Sequence, residues 1–178
     1  VESGVSSLPP NTYLPNLQVL DLSHNELTQV NMSVFNGLPN LKVLKLRKNP
    51  VDSIITEESS QILNFLLLMD LSETKLTEFD SQMMHIMPHL KQLNLSHSTV
   101  QTIGKTGFRQ IPDLEILDMR GCPVQEIPLD IFHGLTSLSV IYSSNYRLCC
   151  EIILPGQTVK PVCLAANDEL STCENLLK

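Results

Sequence analysis

The sequence predicts an α/β solenoid of stacked repeats. We expect a curved parallel β-sheet on the concave face, mostly turns and 3₁₀ segments on the convex face, and a C-terminal disulfide cap. Three observations support this prediction: a leucine pattern recurs six times, each copy alternates apolar and polar residues as a short strand does, and four cysteines follow the last copy. Aromatic residues make up only 4 % of the 178 residues and Trp is absent, so aliphatic side chains must form the core.

The repeated unit has the pattern L-x-x-L-x-L-x-x-N. Neighbouring copies are 24 or 25 residues apart, and they begin at Leu17, Leu41, Leu66, Leu90, Leu114 and Leu138. Residues 1–16 resemble the second half of an earlier unit, so we assign 1–148 to the repeats and 149–178 to a cysteine-rich cap. Strands this short are not stable alone, and stacking the units is what buries a continuous core.

Within each copy, alternation assigns the leucines to the core and the residues between them to the concave face. Leu20 and Leu22, for example, should point inward, and Val19, Asp21 and Ser23 outward. The polar residue that ends the pattern should turn inward and bond backbone groups left unpaired by the bend. Asn25 and Asn49 suit this position, Thr74 and Ser98 fit it in part, and Cys122 is expected to fill it as a buried free thiol.

The second half of each unit should cross the convex side. Phe35, Phe108 and Phe132 recur at the same offset, and Met84 takes that place in the third copy. We expect these side chains to form a second line of core contacts. This pattern resembles the extracellular leucine-rich repeat family, over about residues 8–148. The resemblance implies an arc-shaped binding module.

Four cysteines follow the repeats, at positions 149, 150, 163 and 173. Adjacent cysteines rarely bridge each other because the geometry is strained, so Cys149 and Cys150 should each pair with Cys163 or Cys173. The spacing leaves the order open. Zinc is the alternative, but a C-C pair lacks the usual C-x₂-C spacing. Disulfides imply an extracellular setting.

The vicinal pair in YRLCC, followed by PVC and STCENLL, resembles the hinge of leucine-rich-repeat G-protein-coupled receptors. The short hinge is most similar to the relaxin-receptor branch and to the snail receptor with LDL-receptor modules, although Asn175 stands where Asp is frequent. The resemblance implies pairs Cys149–Cys163 and Cys150–Cys173, and a membrane helix after Lys178. It also implies a G protein as partner through that membrane domain.

The remaining sequence features argue against other classes. A net charge of −7 without a basic patch does not suit nucleic acid. No catalytic or phosphate-binding motif is present, so we predict no enzyme activity, no cofactor and no metal site. No apolar run reaches 18 residues, so contact with a membrane should come only after Lys178. Because the chain starts at Val1, we expect it to be a piece of a longer protein.

The concave face is the predicted ligand surface. A peptide or protein ligand is expected to contact its central and flanking columns, at Asp21, Lys45, Leu68, Asp70, Ile116, Asp118 and Tyr142. Asp70 and Asp118 would bind a basic side chain, as acidic pairs do in the relaxin-type receptors that the chain resembles; the alternative is that Asp is simply the usual solvated residue there. N-x-S sequons predict glycosylation at Asn31, which should be exposed, and at Asn94, in the central column.

These expectations combine into one functional prediction. The chain would be the membrane-proximal ectodomain of a G-protein-coupled hormone receptor, on the extracellular side of the plasma membrane. It would bind a peptide or protein on its concave face and transmit the event to a transmembrane domain. The alternative is a secreted or single-pass adhesion or pattern-recognition protein with the same repeats.

Overall fold

The alternating leucines of each repeat form one short strand, and a second, shorter segment follows on the opposite side. The computed structural model describes residues 4–7, 9, 12–79, 81–104, 107–124, 129–132, 134–144 and 162–164, with backbone alone for 81, 107, 129, 130 and 162–164. The elements in chain order are β1 (Val19–Asp21), β2 (Gln29–Asn31), a 3₁₀ turn (Met32–Phe35), β3 (Val43–Lys45), β4 (Ser53–Ile55), β5 (Leu68–Asp70), β6 (Glu78–Phe79), α1 (Ser81–His85), β7 (Gln92–Asn94), β8 (Thr102–Ile103), a 3₁₀ turn (Gly107–Gln110), β9 (Ile116–Met119), a 3₁₀ turn (Leu129–Phe132), β10 (Val140–Ser143) and β11 (Val162–Leu164).

One strand from each repeat enters a parallel sheet of seven strands, in the order β1-β3-β5-β7-β9-β10-β11. The register is constant from pair to pair, so equivalent residues form straight columns across the sheet. Leu20, Leu44, Met69, Leu93, Leu117 and Ile141 make up the inward column. This parallel sheet confirms the predicted repeat solenoid.

The inward column is buried everywhere except at the first strand. Leu44 and Leu93 are no more than 1 % exposed, whereas Leu20 and Leu22 are only half-buried, contrary to the full burial that the pattern predicts. The physical reason is position: β1 is the edge strand and has a neighbour on one side only. Each fully buried leucine contributes roughly 1.5–3 kcal/mol to stability.

A line of aromatic rings forms the second part of the core. The rings of Phe108 and Phe132 stack with centroids 5.6 Å apart, as the repeat offset predicts, and Phe35 and Met84 are buried at equivalent positions. The sequence analysis missed Phe79, whose ring lies 6.4 Å from that of Phe108. Phe79 belongs to a different repeat position, so the common offset of the others could not reveal it.

The outer side contains more regular structure than the expected turns and 3₁₀ segments. Two additional two-stranded parallel sheets, β2 with β4 and β6 with β8, cross it, and α1 provides one five-residue helix. None of the described helices is long and apolar enough to cross a membrane. The short outer strands could not be predicted from the sequence, because two or three residues are too few to show an alternation of apolar and polar side chains.

Residues that end the repeat pattern form a ladder at positions 25, 49, 74, 98 and 122, which is buried at 49, 74 and 98 and half-buried at its two ends. Asn49 is only 1 % exposed. Its Nδ2 donates to the carbonyl of Leu46 (2.9 Å) within its own turn and to that of Leu22 (2.8 Å) in the preceding repeat. Its Oδ1 accepts from the N–H of Leu27 (3.1 Å). The bond within the bend confirms the sequence prediction, and the bonds to the preceding repeat, which were not predicted, join the two units.

Later ladder positions make fewer of these bonds. Thr74 donates only to its own turn, from Oγ1 to the carbonyl of Leu71 (2.8 Å). The side chain of Cys122 makes two bonds, both to the preceding repeat: Sγ donates to the carbonyl of Leu95 (3.0 Å) and also bonds the hydroxyl of Ser98 (3.4 Å). Cys122 is half-buried rather than buried, and the burial raises the pKa of its thiol.

The residue before each ladder position adopts the left-handed conformation. His24, Lys48, Glu73 and His97 have φ between 54° and 58°, and Gly121 has φ of 70°. This geometry costs a non-glycine residue roughly 1–2 kcal/mol. Gly121 has a second reason to lack a side chain, because an added Cβ would lie 2.5 Å from Nδ1 of His97.

The segment before the first copy stacks on it in the same way as later repeats stack. The N–H of Leu14 donates to the carbonyl of Gly37 (2.9 Å), and the N–H of Leu63 makes the equivalent bond to Ile86 (2.7 Å). Gly37 is required here because a Cβ would lie 2.0 Å from the carbonyl oxygen of Thr12.

The strand β11 continues the sheet beyond the last leucine copy. It pairs in parallel with β10, and Cys163 takes the register position beside Ile141. The sequence analysis did not predict a strand within the cap. Cys149, Cys150 and Cys173 lie outside the described residues, so the predicted disulfides remain predictions.

Candidate functional site

The exposed side of the seven-stranded sheet is the face that the sequence predicts to be concave, and we call it the open face. Its central column runs through Asp21, Lys45, Asp70, Asn94, Asp118 and Tyr142, and its flanking column through Val19, Val43, Leu68, Gln92, Ile116 and Val140. The constant register therefore brings the predicted ligand residues together on one surface.

A depression of about 210 Å³ lies on the open face, centred on β7. Six of the seven predicted ligand residues contribute to its lining, and Asp21 lies outside it. The flanking residues Leu68 and Ile116 are half-buried rather than exposed, because neighbours in their column cover them, whereas Val19 at the sheet edge is 54 % exposed. The lining consists of Lys45, Leu68, Asp70, Gln92, Leu93, Asn94, Ile116, Asp118 and Tyr142.

The acidic and amide side chains of the central column accept a backbone hydrogen bond from the residue two positions later. Oδ1 of Asp70 accepts the N–H of Ser72 (2.9 Å), and the same bond recurs from Ser23 to Asp21 (3.0 Å) and from Ser96 to Asn94 (2.9 Å). A side chain that bonds the backbone two residues on is a common turn device. It shapes the end of each strand, and this explains the residue type independently of any ligand.

The third column of the open face runs through Ser23, Arg47, Ser72, Ser96 and Arg120, two residues after the central column. Its serines are buried, although alternation predicts them to be exposed. Ser72 is 3 % exposed, Ser96 7 % and Ser23 9 %. The backbone bends after the central column, because each serine N–H turns back to the side chain two residues earlier. Serine is small enough to fit beneath this bend, so the three serines contribute little to the open face.

Asp70 and Asp118 are not equivalent. Asp118 is 8 % exposed and accepts two bonds from the guanidinium of Arg120, from Nη2 to Oδ2 (2.8 Å) and from Nε to Oδ1 (3.1 Å). The same guanidinium lies 4.8 Å from the ring centroid of Tyr142. Asp70 is half-buried, and its Oδ2 has no partner among the described residues. Asp70 is therefore the better placed of the two to bind a ligand cation.

At the N-terminal side of the depression, Asp21 and Lys45 form a loose ion pair. Nζ of Lys45 lies 3.9 Å from Oδ2 of Asp21, and both side chains are exposed. Hydrogen bonding by Ser23 lowers the pKa of Asp21, and Lys45 adds to this effect. Exposed pairs of this kind contribute little to stability. Lys45 is thus free to reorient toward a ligand in the depression.

An ion cluster at the edge of the open face joins Arg47 of the third column to Lys48 and Glu73. Oε1 of Glu73 accepts bonds from Nη2 (2.6 Å) and Nε (2.9 Å) of Arg47, and Oε2 lies 3.7 Å from Nζ of Lys48. These bonds to Arg47 hold the pKa of Glu73 below its usual range, and Lys48 adds to the shift.

We expect Arg47→Gln to raise the pKa of Glu73 toward its ordinary range, because the main stabiliser of the carboxylate is removed. An NMR titration of the side-chain carboxyl carbon measures this. A depressed folded-state pKa adds stability above the unfolded pKa, and that stability is lost as pH falls through the folded pKa. The substitution should therefore lower stability near neutral pH and leave it unchanged below the folded pKa of Glu73. Lys42→Gln, in the exposed residue before β3, is the control and should leave the Glu73 titration unchanged.

Gln92 is one of three lining residues, with Leu93 and Asn94, that the predicted ligand set omits. Its side chain is exposed, between Leu68 and Ile116 in the flanking column. It makes no hydrogen bond among the described residues. The sequence could have indicated Gln92 as a candidate, because it is the only carboxamide in the flanking column and the other members, from Val19 to Val140, are aliphatic.

The two glycosylation sequons have different surroundings. Asn31 ends β2 and is half-buried, contrary to the expected exposed position outside a strand. Its Oδ1 accepts the N–H of Ser33 (2.9 Å), which caps the following 3₁₀ turn, and its Nδ2 donates to Glu57 (2.6 Å). Asn94 lies in the depression itself. Glycosylation at either position remains a prediction.

The described residues contain no group of three or more His, Cys, Asp or Glu side chains placed to hold a metal ion. His85 ends α1, and His89 lies in the turn after it. Nδ1 of His89 bonds Oδ2 of Asp113 (2.8 Å). A hydrogen bond between neighbouring repeats accounts for that contact.

The repeats can now be compared with known families. The leucine-rich repeat model matches residues 15–70 and 66–124, which together cover more than half of the chain. The chain therefore belongs to the leucine-rich repeat family, whose domains are typically non-catalytic modules that bind proteins. No curated protein matches the chain as a relative.

Proposed function

We propose that the open face binds a peptide or protein ligand, and that the depression centred on β7 is its main contact. The depression carries this proposal, since it combines half-buried aliphatic side chains, Leu68 and Ile116, with the unpaired carboxylate oxygen of Asp70. Its volume of about 210 Å³ is below the roughly 300–1,000 Å³ of small-molecule pockets. A side chain of a larger partner fits such a site better than a whole small ligand does.

We further propose that the chain is the membrane-proximal ectodomain of a leucine-rich-repeat G-protein-coupled receptor, on the extracellular side of the plasma membrane. The support is the sequence of residues 146–177, where a vicinal cysteine pair and a C-E-N-L segment resemble the hinge of these receptors. Ligand binding would pass through a disulfide cap to a membrane domain and its G protein.

The coding sequence beyond Lys178 tests the receptor proposal directly. Seven apolar spans of about 20 residues each would support it. A single span, or a stop codon soon after Lys178, would contradict it and favour an adhesion or secreted binding protein.

We expect Asp70→Asn to weaken ligand binding by more than tenfold, since hydrogen bonds to charged groups contribute roughly 1.5–3 kcal/mol. The change keeps the oxygen that accepts the Ser72 N–H and removes only the charge. The probe is a basic peptide selected on the full chain from a displayed library of random dodecapeptides, with affinity measured by calorimetry. Asp52→Asn is the matched control, in an exposed aspartate on the outer side. Equal affinities for the two variants would contradict the proposed site.

A further inference from the structure

We propose that Gln92 and Asn94 form a clamp for the main chain of an extended peptide segment of the ligand. This inference rests on the proposed function of the open face and specifies how the ligand is held there. Each of the two side chains is a carboxamide with two N–H donors and a carbonyl acceptor, the same groups that a peptide main chain offers.

The clamp is positioned by the alternation of β7. Gln92 and Asn94 lie on the open face, and Leu93 between them belongs to the inward column and forms part of the floor of the depression. Two residues of an extended strand span roughly 6.6 Å. Gln92 belongs to the flanking column and Asn94 to the central column. One carboxamide therefore borders each side of the part of the depression that has Leu93 as its floor, which we call the channel.

The hydrogen-bonding capacity of both side chains is largely unused. Asn94 uses Oδ1 for the N–H of Ser96 (2.9 Å), and its Nδ2 has no partner within the described part of the chain. Gln92 has no partner for either side-chain atom there. An extended peptide directs its N–H and C=O groups to its two edges. Carboxamides on both sides of a channel therefore match a peptide that runs across the strands between the columns.

The surroundings favour a peptide over other occupants. Leu68 and Ile116 flank Gln92 and provide apolar contacts for an aliphatic side chain, while Asp70 stands beside Asn94 and suits a basic one. Main-chain bonds would supply affinity and these neighbours would supply specificity, as in other modes of extended-peptide recognition. A glycan on Nδ2 of Asn94 would consume a donor and occupy the depression, so the clamp requires unmodified Asn94.

Two variants that the fold should accommodate test the clamp. Gln92→Leu places an aliphatic residue in a column that already holds Leu68 and Ile116. Asn94→Ser removes the carboxamide without adding a charge, and its hydroxyl can still accept the Ser96 N–H. Each variant should weaken binding of the selected dodecapeptide by about tenfold, which corresponds to one net hydrogen bond. Gln29→Leu, in the exposed outer strand β2, is the matched control and should bind as wild type does.

Ester analogues of the peptide separate main-chain recognition from other effects. Replacing one amide N–H at a time with an ester oxygen should weaken binding to the wild-type chain at one or two positions. At a position held by Gln92, the same ester should cause no further loss on Gln92→Leu, because the partner has already been removed. Ser96→Ala removes the sequon, keeps the Asn94 carboxamide and should bind at least as tightly as wild type.

The outcomes distinguish the clamp from the proposed function. If Asp70→Asn weakens binding while Gln92→Leu, Asn94→Ser and the esters do not, the clamp is wrong and the open-face site stands. If no displayed peptide binds, or if neither Asp70→Asn nor Ile116→Ala weakens binding, both are wrong. A glycan on Asn94, found by mass spectrometry in protein that binds the peptide as tightly as Ser96→Ala does, also overturns the clamp.

Discussion

Replacement of Asn49 by alanine is expected to lower the free energy of unfolding by about 3–5 kcal/mol. The side chain is 1 % exposed and satisfies the carbonyls of Leu22 and Leu46 and the N–H of Leu27. Each backbone group left buried without a partner costs roughly 1–3 kcal/mol. Because one of these bonds lies within a turn and two join neighbouring repeats, the loss should weaken both the unit and its interface. Urea unfolding followed by circular dichroism measures the change.

Asn40→Ala provides the comparison for this experiment. Asn40 is exposed, and its Nδ2 makes one bond to the carbonyl of Pro15 (2.7 Å). Water can replace that bond, so we expect a loss below about 1 kcal/mol. Similar losses for the two asparagines would show that the ladder bonds do not stabilise the repeats as described.

Phe108→Ala should destabilise the chain by a similar amount, about 3–5 kcal/mol, through loss of packing rather than of hydrogen bonds. Its ring is fully buried between those of Phe79, 6.4 Å away, and Phe132, 5.6 Å away. Truncation leaves a cavity that spans two repeat interfaces, and aromatic pairs add roughly 0.5–1.5 kcal/mol beyond burial. Thermal unfolding measures the effect.

Phe65→Ala removes the same atoms from a different environment. Phe65 is 54 % exposed and lies outside the aromatic line. We expect its substitution to change stability by no more than about 0.5 kcal/mol. If both phenylalanines gave small effects, the ring line would contribute little to the second half of the core.

The regular parts of the fold were predictable from the sequence because they repeat. The register of Leu44, Met69 and Leu93 follows from spacing alone, and so does the ladder role of Asn49. Features that occur once or twice were not predictable. Phe79 joins the aromatic line from another repeat position, and β11 follows the last leucine pattern without copying it.

The candidate site was predictable as a surface but not in its detail. Alternation places Leu68, Asp70 and Ile116 on one face, and the structure shows them around one depression. Alternation does not show that Arg120 neutralises Asp118, since two residues on one face need not be in contact. It also treats the position of Ser72 as exposed, because a strand pattern contains no information about the bend that follows.

The ladder changes along the chain, from Asn25 and Asn49 to Thr74 and then Cys122. Each asparagine makes at least three side-chain hydrogen bonds, whereas Thr74 makes one and Cys122 makes two. In a stack where each repeat contacts only its neighbours, the total stability is a sum of contributions from single repeats and their interfaces. The repeats with the weakest contributions open first. Local opening should therefore begin in the later repeats rather than in the earlier ones. The depression extends over both the earlier repeats, with many ladder bonds, and the later repeats, with few. A ligand bound there would contact both groups of repeats and make them unfold cooperatively.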